Sequence, residues 1–407
     1  MKWGFKKAFA YCALLLSAGA VFQLISGGMD RSFLKQPWGA IIAINYLYLL
    51  ILAYAKSDKW DWAKKLYDKY SMTASLAFMT ILCIILGLFN FRHATTSWPF
   101  SLIYIHFTTV LGLRTIDDIH HWRKRRLVPL LSHAAVFLIL AAGMFSSGDK
   151  IKVRITAPVG YPVHMGQTAD GKEVQLPFSI VLKDFTMEEY APKLHLIDYR
   201  QGSSSAEYIS VEDKGVTGSL EDWEISVLDI LENAGRMRDS LDYKAMDHVG
   251  ATTAVYVRAI KTSAKAESEQ ASQENAEIKK GAPETIREGW VSCGSHIFQP
   301  AILQLDEKLA IAMPSREPSK YLSEVIIIDN DGEKHRSIEV NKPAKTGSWR
   351  IYQQGYDTER GRWSTISIFE CVRDGWYPFI QTALWMILAS GLIMALTAGN
   401  KRRKEAR

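Results

Sequence analysis

Apolar residues along this chain follow two patterns. Before residue 146, and again near the C-terminal end, they form long runs; in between they come in short runs that alternate with polar residues. A helix that crosses a hydrocarbon core needs about 20 mainly apolar residues, since about 30 Å must be covered at 1.5 Å per residue. Six stretches meet this requirement, approximately residues 9–26, 38–55, 73–91, 98–113, 127–145 and 376–398. The fourth is short, so it needs burial among neighbours or local thinning of the bilayer. Trp38, Trp98, Trp376 and Tyr377 fall at the predicted ends, where amphipathic rings favour the headgroup layer.

From Lys152 the pattern changes. Runs near 178–182, 208–211, 223–228, 254–259, 303–312, 321–329, 337–340, 349–352 and 364–369 read as strands. Asp329, Asn330, Asp331 and Gly332 lie between two β-branched runs and suit a hairpin turn, because Asn, Asp and Gly tolerate positive φ. Residues 262–283 are rich in Lys, Glu, Ser, Gln and Ala, and read as a polar insertion that buries little. The predicted fold is a multi-span α-helical membrane protein of about six transmembrane helices with a large antiparallel β-rich extracytoplasmic domain. Its parts are a five-helix membrane region (1–146), the β domain (147–375), a final span (376–398) and a basic cytoplasmic tail (399–407).

Orientation follows from the short connections, because the side that retains Lys and Arg is the cytoplasm. Alternate gaps hold Lys2, Lys6 and Lys7, then Lys56, Lys59, Lys64, Lys65 and Lys69, then Arg123, Lys124, Arg125 and Arg126, then Lys401, Arg402, Arg403, Lys404 and Arg407. The opposite short gaps hold only Arg31, Lys35 and Arg92. Both termini are therefore expected inside and the β domain outside. The formal charge of +6 over 407 residues needs no nucleic-acid partner, since these edge residues account for the basic excess.

Four cysteines exclude a disulfide scaffold. Cys12 and Cys83 read as small buried hydrophobes; Cys293 and Cys371 lie outside and could pair if their strands meet. No nucleophile elbow, Walker loop, dinucleotide fingerprint or HExxH occurs, so no catalytic residue is assigned. Ionisable groups within spans are costly and usually functional, which draws attention to His106 and His133. His133 lies about 9 Å into the fifth span at 1.5 Å per residue, in the inner leaflet, and His106 sits near the middle of the fourth. Each could be an iron ligand or an interhelical hydrogen-bonding group. His120 and His121, beside Asp117 and Asp118, read as a solvated face, because adjacent helical positions diverge. His93 and the histidines of the β domain show no ligand spacing.

Several strings resemble the ResB-like (CcsB-type) subunit of the system II cytochrome c synthetase. They are Met313-Pro314, then Pro318-Ser319-Lys320-Tyr321-Leu322-Ser323-Glu324-Val325, Ile338-Glu339-Val340-Asn341-Lys342-Pro343 and Gly347-Ser348-Trp349-Arg350-Ile351-Tyr352-Gln353. Leu176-Pro177-Phe178 with Leu182-Lys183-Asp184-Phe185 and Tyr190 is similar to the family's first ectodomain strand, and Ser132-His133 to its histidine-bearing helix. The similarity extends from about residue 127 to the C-terminus; five spans before the domain exceed the three typical of many relatives.

The resemblance implies a subunit of the bacterial cytoplasmic membrane that works with a CcsA-type partner carrying a tryptophan-rich WWD segment. That segment does not occur here; Trp60-Asp61-Trp62 lacks its spacing. Together the two would export haem b and present it to the CxxCH of apocytochrome c, this chain not being catalytic alone. His133 is then the expected axial ligand with His106 in reserve, and Asn341, Pro343, Tyr352 and Gln353 would shape a surface for the partner or apocytochrome. No metal other than haem iron is expected. The alternative is a membrane-anchored scaffold that recruits maturation factors without binding haem.

Overall fold

The structure is a computed structural model that describes residues 3–89, 94–122, 127–237, 242–261 and 285–405, with side chains up to residue 397. The expected insertion at 262–283, His93, the Arg123 to Arg126 run and the side chains of the basic tail lie outside the described residues. The chain divides into two compact units, Met1–Ile151 with Arg373–Arg407, and Lys152–Val372.

The first unit is helical: α1 (Phe5–Ser26), α2 (Trp38–Ala55), α3 (Asp61–Leu66), α4 (Lys69–Leu88), α5 (Trp98–His120), α6 (Leu127–Asp149) and α7 (Tyr377–Glu405). All six expected segments are helical, and α1, α2, α4, α6 and α7 are long and apolar enough to cross a membrane. The fourth segment differs. Its helix continues past residue 113 to His120, taking in Arg114, Asp117 and Asp118, and is too polar to qualify by hydropathy. It is instead the hub of the unit, touching α1, α2, α4 and α6. Neighbouring helices therefore supply the apolar surroundings that its own sequence lacks.

Small residues allow that close approach. A side chain at Gly112 would meet Phe137 at 2.7 Å and Leu50 at 2.8 Å, and one at Gly19 would meet the Pro99 backbone at 2.6 Å. Ala8 and Cys12 of α1, Ala74 and Met79 of α4, and Ile103 and Phe107 of α5 form the shared core. Polar side chains on α5 are satisfied along the helix, as Thr108 donates to the Tyr104 carbonyl and Thr115 to that of Leu111, each at 2.8 Å.

The second unit is built from three sheets. The largest has eight strands: β1 (Ile151–Pro158), β2 (Pro162–Gln167), β3 (Glu173–Glu189), β13 (Pro318–Asp329), β14 (Gly332–Glu339), β15 (Ala344–Thr346), β16 (Trp349–Tyr356) and β17 (Ile366–Arg373). Their spatial order is β14-β13-β3-β2-β1-β17-β16-β15. Although β13 and β17 stand four places apart in this order, Ser323 of β13 lies 2.7 Å from both Ser367 of β17 and Gln353 of β16. The sheet thus curls until its two ends meet across a shared interior. Phe178 against Trp349 and Phe185 against Tyr356 fill the same interior.

The other two sheets face each other. One contains β4 (Lys193–Asp198), β5 (Ser203–Ser210), β11 (Leu303–Gln304) and β12 (Leu309–Ala312); the other β6 (Thr217–Leu220), β7 (Trp223–Arg236), β8 (Tyr243–Ala245), β9 (Thr252–Lys261) and β10 (Ile286–Ser292). Leu194, Leu196 and Ile311 from the first pack with Trp223, Ile225, Val257 and Val291 from the second. The run at 303–312 breaks into β11 and β12 because Asp306 Oδ1 accepts the backbone N–H groups of Lys308 and Leu309, each at 2.8 Å, and closes a turn. The considered Cys293–Cys371 bridge is not formed. Both thiols are free: Cys371 is buried in β17 of the curled sheet, whereas Cys293 follows β10 in another sheet.

The hairpin expected at Asp329 to Gly332 is present, with Asp329 paired to Gly332 at its mouth and Gly332 at φ 109°. Asp329 also accepts from Lys334 Nζ at 2.8 Å and from the Thr346 hydroxyl, joining the turn to β15. The Lys334 ammonium, then the Thr346 hydroxyl, pull its carboxyl from 3.8 down to about 2. A lowered folded-state pKa stabilises the fold above the unfolded value, and that contribution is lost as pH falls from 3.8 to about 2. Acid titration of thermal unfolding in the full-length protein should therefore give a shallower decline over that window for Asp329→Asn than for wild type.

Candidate functional site

The cytoplasmically predicted end of α5 gathers the ionisable groups of the helical unit. Arg114, Asp117 and Asp118 occupy i, i+3 and i+4, so one face presents a guanidinium to two carboxylates, each at 3.3 Å. Asp117, still mostly covered, accepts from Tyr54 Oη of α2 at 3.1 Å and lies 3.0 Å from His121 Nδ1. Tyr54 also packs edge-on against His120, with ring centroids 5.8 Å apart.

Asp118 corrects the expectation of a solvated acidic face, because its side chain is only 1% exposed. The extra turns of α5 beyond residue 113 place it on the inward stripe with the buried residues Leu111 and Thr115. Its Oδ2 lies 2.7 Å from Nδ1 of His133 on α6. A carboxylate oxygen only accepts, so the proton of this contact sits on Nδ1, and in a neutral imidazole Nε2 is the nitrogen with the lone pair. Oδ1 makes no hydrogen bond among the described residues, although Arg114 Nη2 is 3.3 Å away. The attraction there is Coulombic rather than directional.

His133 is held at a different level from His106. Twelve residues of α5 separate Asp118 from His106, about 18 Å along the axis at 1.5 Å per residue. The two histidines are thus not brought to one iron within this chain. His106 is 8% exposed, with its ring edge-on to Tyr11 of α1 at 5.2 Å, inside the α1–α5 packing. His133 is 27% exposed, and among the described residues only its Nδ1 has a partner. Beside it, Ser132 Oγ lies 2.7 Å from Ser390 Oγ, fixing that turn of α6 against α7.

This arrangement fits a single axial donor. A histidine that ligates a metal through one nitrogen commonly gives its other N–H to a carboxylate, which fixes the tautomer and raises basicity. Among the described residues no group of three or more His, Cys, Asp or Glu is placed to hold a bare metal ion, whereas a porphyrin already supplies four nitrogens and needs one or two more donors. Asp118 and Arg114 were not singled out from the sequence as part of a site. The i, i+4 Arg–Asp spacing at the end of an apolar run was the available signal.

The four β-unit candidates lie close together in sequence but differ in setting. Asn341 is exposed in the turn after β14 at φ 65°, with Glu339 bridging to Lys342, and Pro343 follows half-buried. Tyr352 and Gln353 point to opposite faces of β16. Tyr352 is half-buried, while Gln353 is buried, accepts from Ser323 Oγ at 2.7 Å and donates to the Gly355 carbonyl at 2.9 Å. Cys371 contributes no reactive thiol, since burial pushes its pKa up to about 12.

No curated protein matches the chain. The model of the ResB-like family matches residues 268–375, which takes in β10 to β17 and the four β-unit candidates but neither His106 nor His133. Over that stretch the chain is similar to the ResB-like family, which points to cytochrome c biogenesis in general.

Proposed function

We propose that this chain is a membrane subunit that, with a CcsA-type partner, carries haem b across the bacterial cytoplasmic membrane and presents it to the CxxCH of apocytochrome c. The observation that carries the reading is the Asp118–His133 contact, which leaves one imidazole nitrogen able to donate to iron. Haem is cargo here. His133 would hold it from one side, with Asp118 fixing the ring and Arg114 offsetting the carboxylate charge. A ring that is a quarter exposed on one chain needs a second wall, and the CcsA-type subunit would supply it together with the WWD segment. His106, enclosed by Tyr11, remains the reserve ligand.

The Lys and Arg bias of the short connections supports an orientation with both termini inside and the β unit outside. In that orientation the β unit would hold the partner or apocytochrome near the attachment site. The exposed Asn341 and half-buried Pro343 and Tyr352 are the candidates for direct contact, and Gln353 supports them from the interior.

If His133 is the ligand, the His133→Ala chain co-purified with its partner should hold at least tenfold less haem, about the loss that a missing ligand shell contact brings, and added imidazole should restore it. Unchanged haem content and cytochrome c maturation in that variant would favour the scaffold reading. Asp118 should also matter to the fold, since its loss strands His133 and Arg114. Asp118→Ala should cost about 1–3 kcal/mol and lower the unfolding temperature of the detergent-solubilised full chain more than Asp117→Ala does.

A further inference from the structure

A second feature of the helical unit lies at the other end of α5. The α1–α2 connection, α2, the turn before α5, α5 and α6 line a half-open cavity of about 420 Å³. Its walls are apolar, with Phe33, Ile42, Phe100, Ile105, Met144 and Phe145 among them. Two tyrosines reach it, but their hydroxyls are engaged: Tyr104 donates to the Leu140 carbonyl at 2.7 Å, and Tyr46 pairs with Thr109 Oγ1 at 3.1 Å.

Two polar groups in the lining are not used up. Ser101 is 4% exposed, and its hydroxyl has no hydrogen-bond partner among the described residues. An orphaned hydroxyl in so apolar a setting is destabilising, and a bound acceptor would relieve it. Arg31 is half-buried, and burial draws its pKa below the ordinary value. Its guanidinium donates to the Thr95 carbonyl just before α5, yet among the described residues no carboxylate lies within ion-pair distance of it. The adjacent Asp30 is occupied by the backbone N–H and hydroxyl of Ser32, at 2.8 and 2.7 Å.

We propose that this cavity is a binding site for one anionic phospholipid, with Arg31 on the phosphate, the Ser101 hydroxyl donating to an ester carbonyl and the acyl chain between α2, α5 and α6. The polar donors cluster at the α5 start and the remaining walls are apolar, which matches an amphiphile rather than a polar solute. A guanidinium binds phosphate by paired, charge-assisted hydrogen bonds, so the headgroup charge should decide affinity. Two of the lining helices, α2 and α6, are apolar enough to span a membrane, where phospholipid is the amphiphile in contact with them. The site is separate from His133 and does not rest on the haem reading.

Native mass spectrometry of the full-length protein, mixed with equal amounts of phosphatidylglycerol and phosphatidylcholine in detergent, tests it. Wild type should retain one phosphatidylglycerol, preferred about tenfold over phosphatidylcholine, whose phosphate charge is offset by its own choline ammonium. Arg31→Gln should abolish the preference, Arg31→Lys should keep part of it, and Gly143→Phe, which fills the cavity, should remove both lipids. Equal retention of the two lipids by wild type, no retained lipid, a preference that survives Arg31→Gln, or a retained mass that proves to be haem would each overturn the proposal. Arg31 lies in a connection between helices, so its variants report even where Gly143→Phe does not fold.

Discussion

A carboxyl group sealed among apolar helices must find partners, and the helical unit is arranged around how Asp118 finds them. Desolvation without compensation costs several kcal/mol, so the partners must be fixed in place. Arg114 comes from the preceding turn of α5, and His133 from α6. This pair ties the two helices together and, in doing so, selects one imidazole tautomer. A packing requirement and a chemical one are met by the same 2.7 Å contact. The hub position of α5 follows from the same constraint, since a helix carrying Arg114, Asp117 and Asp118 is tolerated only where α1, α2, α4 and α6 cover it.

The β unit meets its own version of the problem. Curling the eight-stranded sheet brings polar side chains from distant strands into the interior, where Ser323, Ser367 and Gln353 satisfy one another. Much of the ResB-like match falls on these strands. The Tyr321-Leu322-Ser323 and Ile351-Tyr352-Gln353 strings thus include residues that close the sheet, whereas Asn341 is exposed in the turn after β14.

Much of this was legible in the residues, and the exceptions have physical causes. Long apolar runs declare their helices because backbone groups in lipid must bond within the segment. The turn at Asp329 to Gly332 was legible because few residues accept positive φ. The reach of α5 to His120 was not, since charges end the apolar run while their i, i+4 pairing carries the helix onward. Asp118 looked solvated because its burial depends on His133, fifteen positions away on another helix. Strands such as β2 and β10, with Gly, Pro and His among few β-branched residues, owe their form to their neighbours rather than to their own propensity. The ligand candidate His133 could be named from depth and resemblance, but its orienting carboxylate required the fold.

The central claim is that the free nitrogen of His133 binds haem iron while Asp118 holds the other. Pulsed electron paramagnetic resonance of the ferric complex, purified with its partner from cells fed ¹⁵N-histidine, reads imidazole nitrogens on iron directly. The account predicts ¹⁵N couplings from a bound imidazole that disappear in His133→Gly and return as ¹⁴N couplings when unlabelled imidazole is added. An unaltered ¹⁵N signal in His133→Gly would place the ligand elsewhere and contradict it.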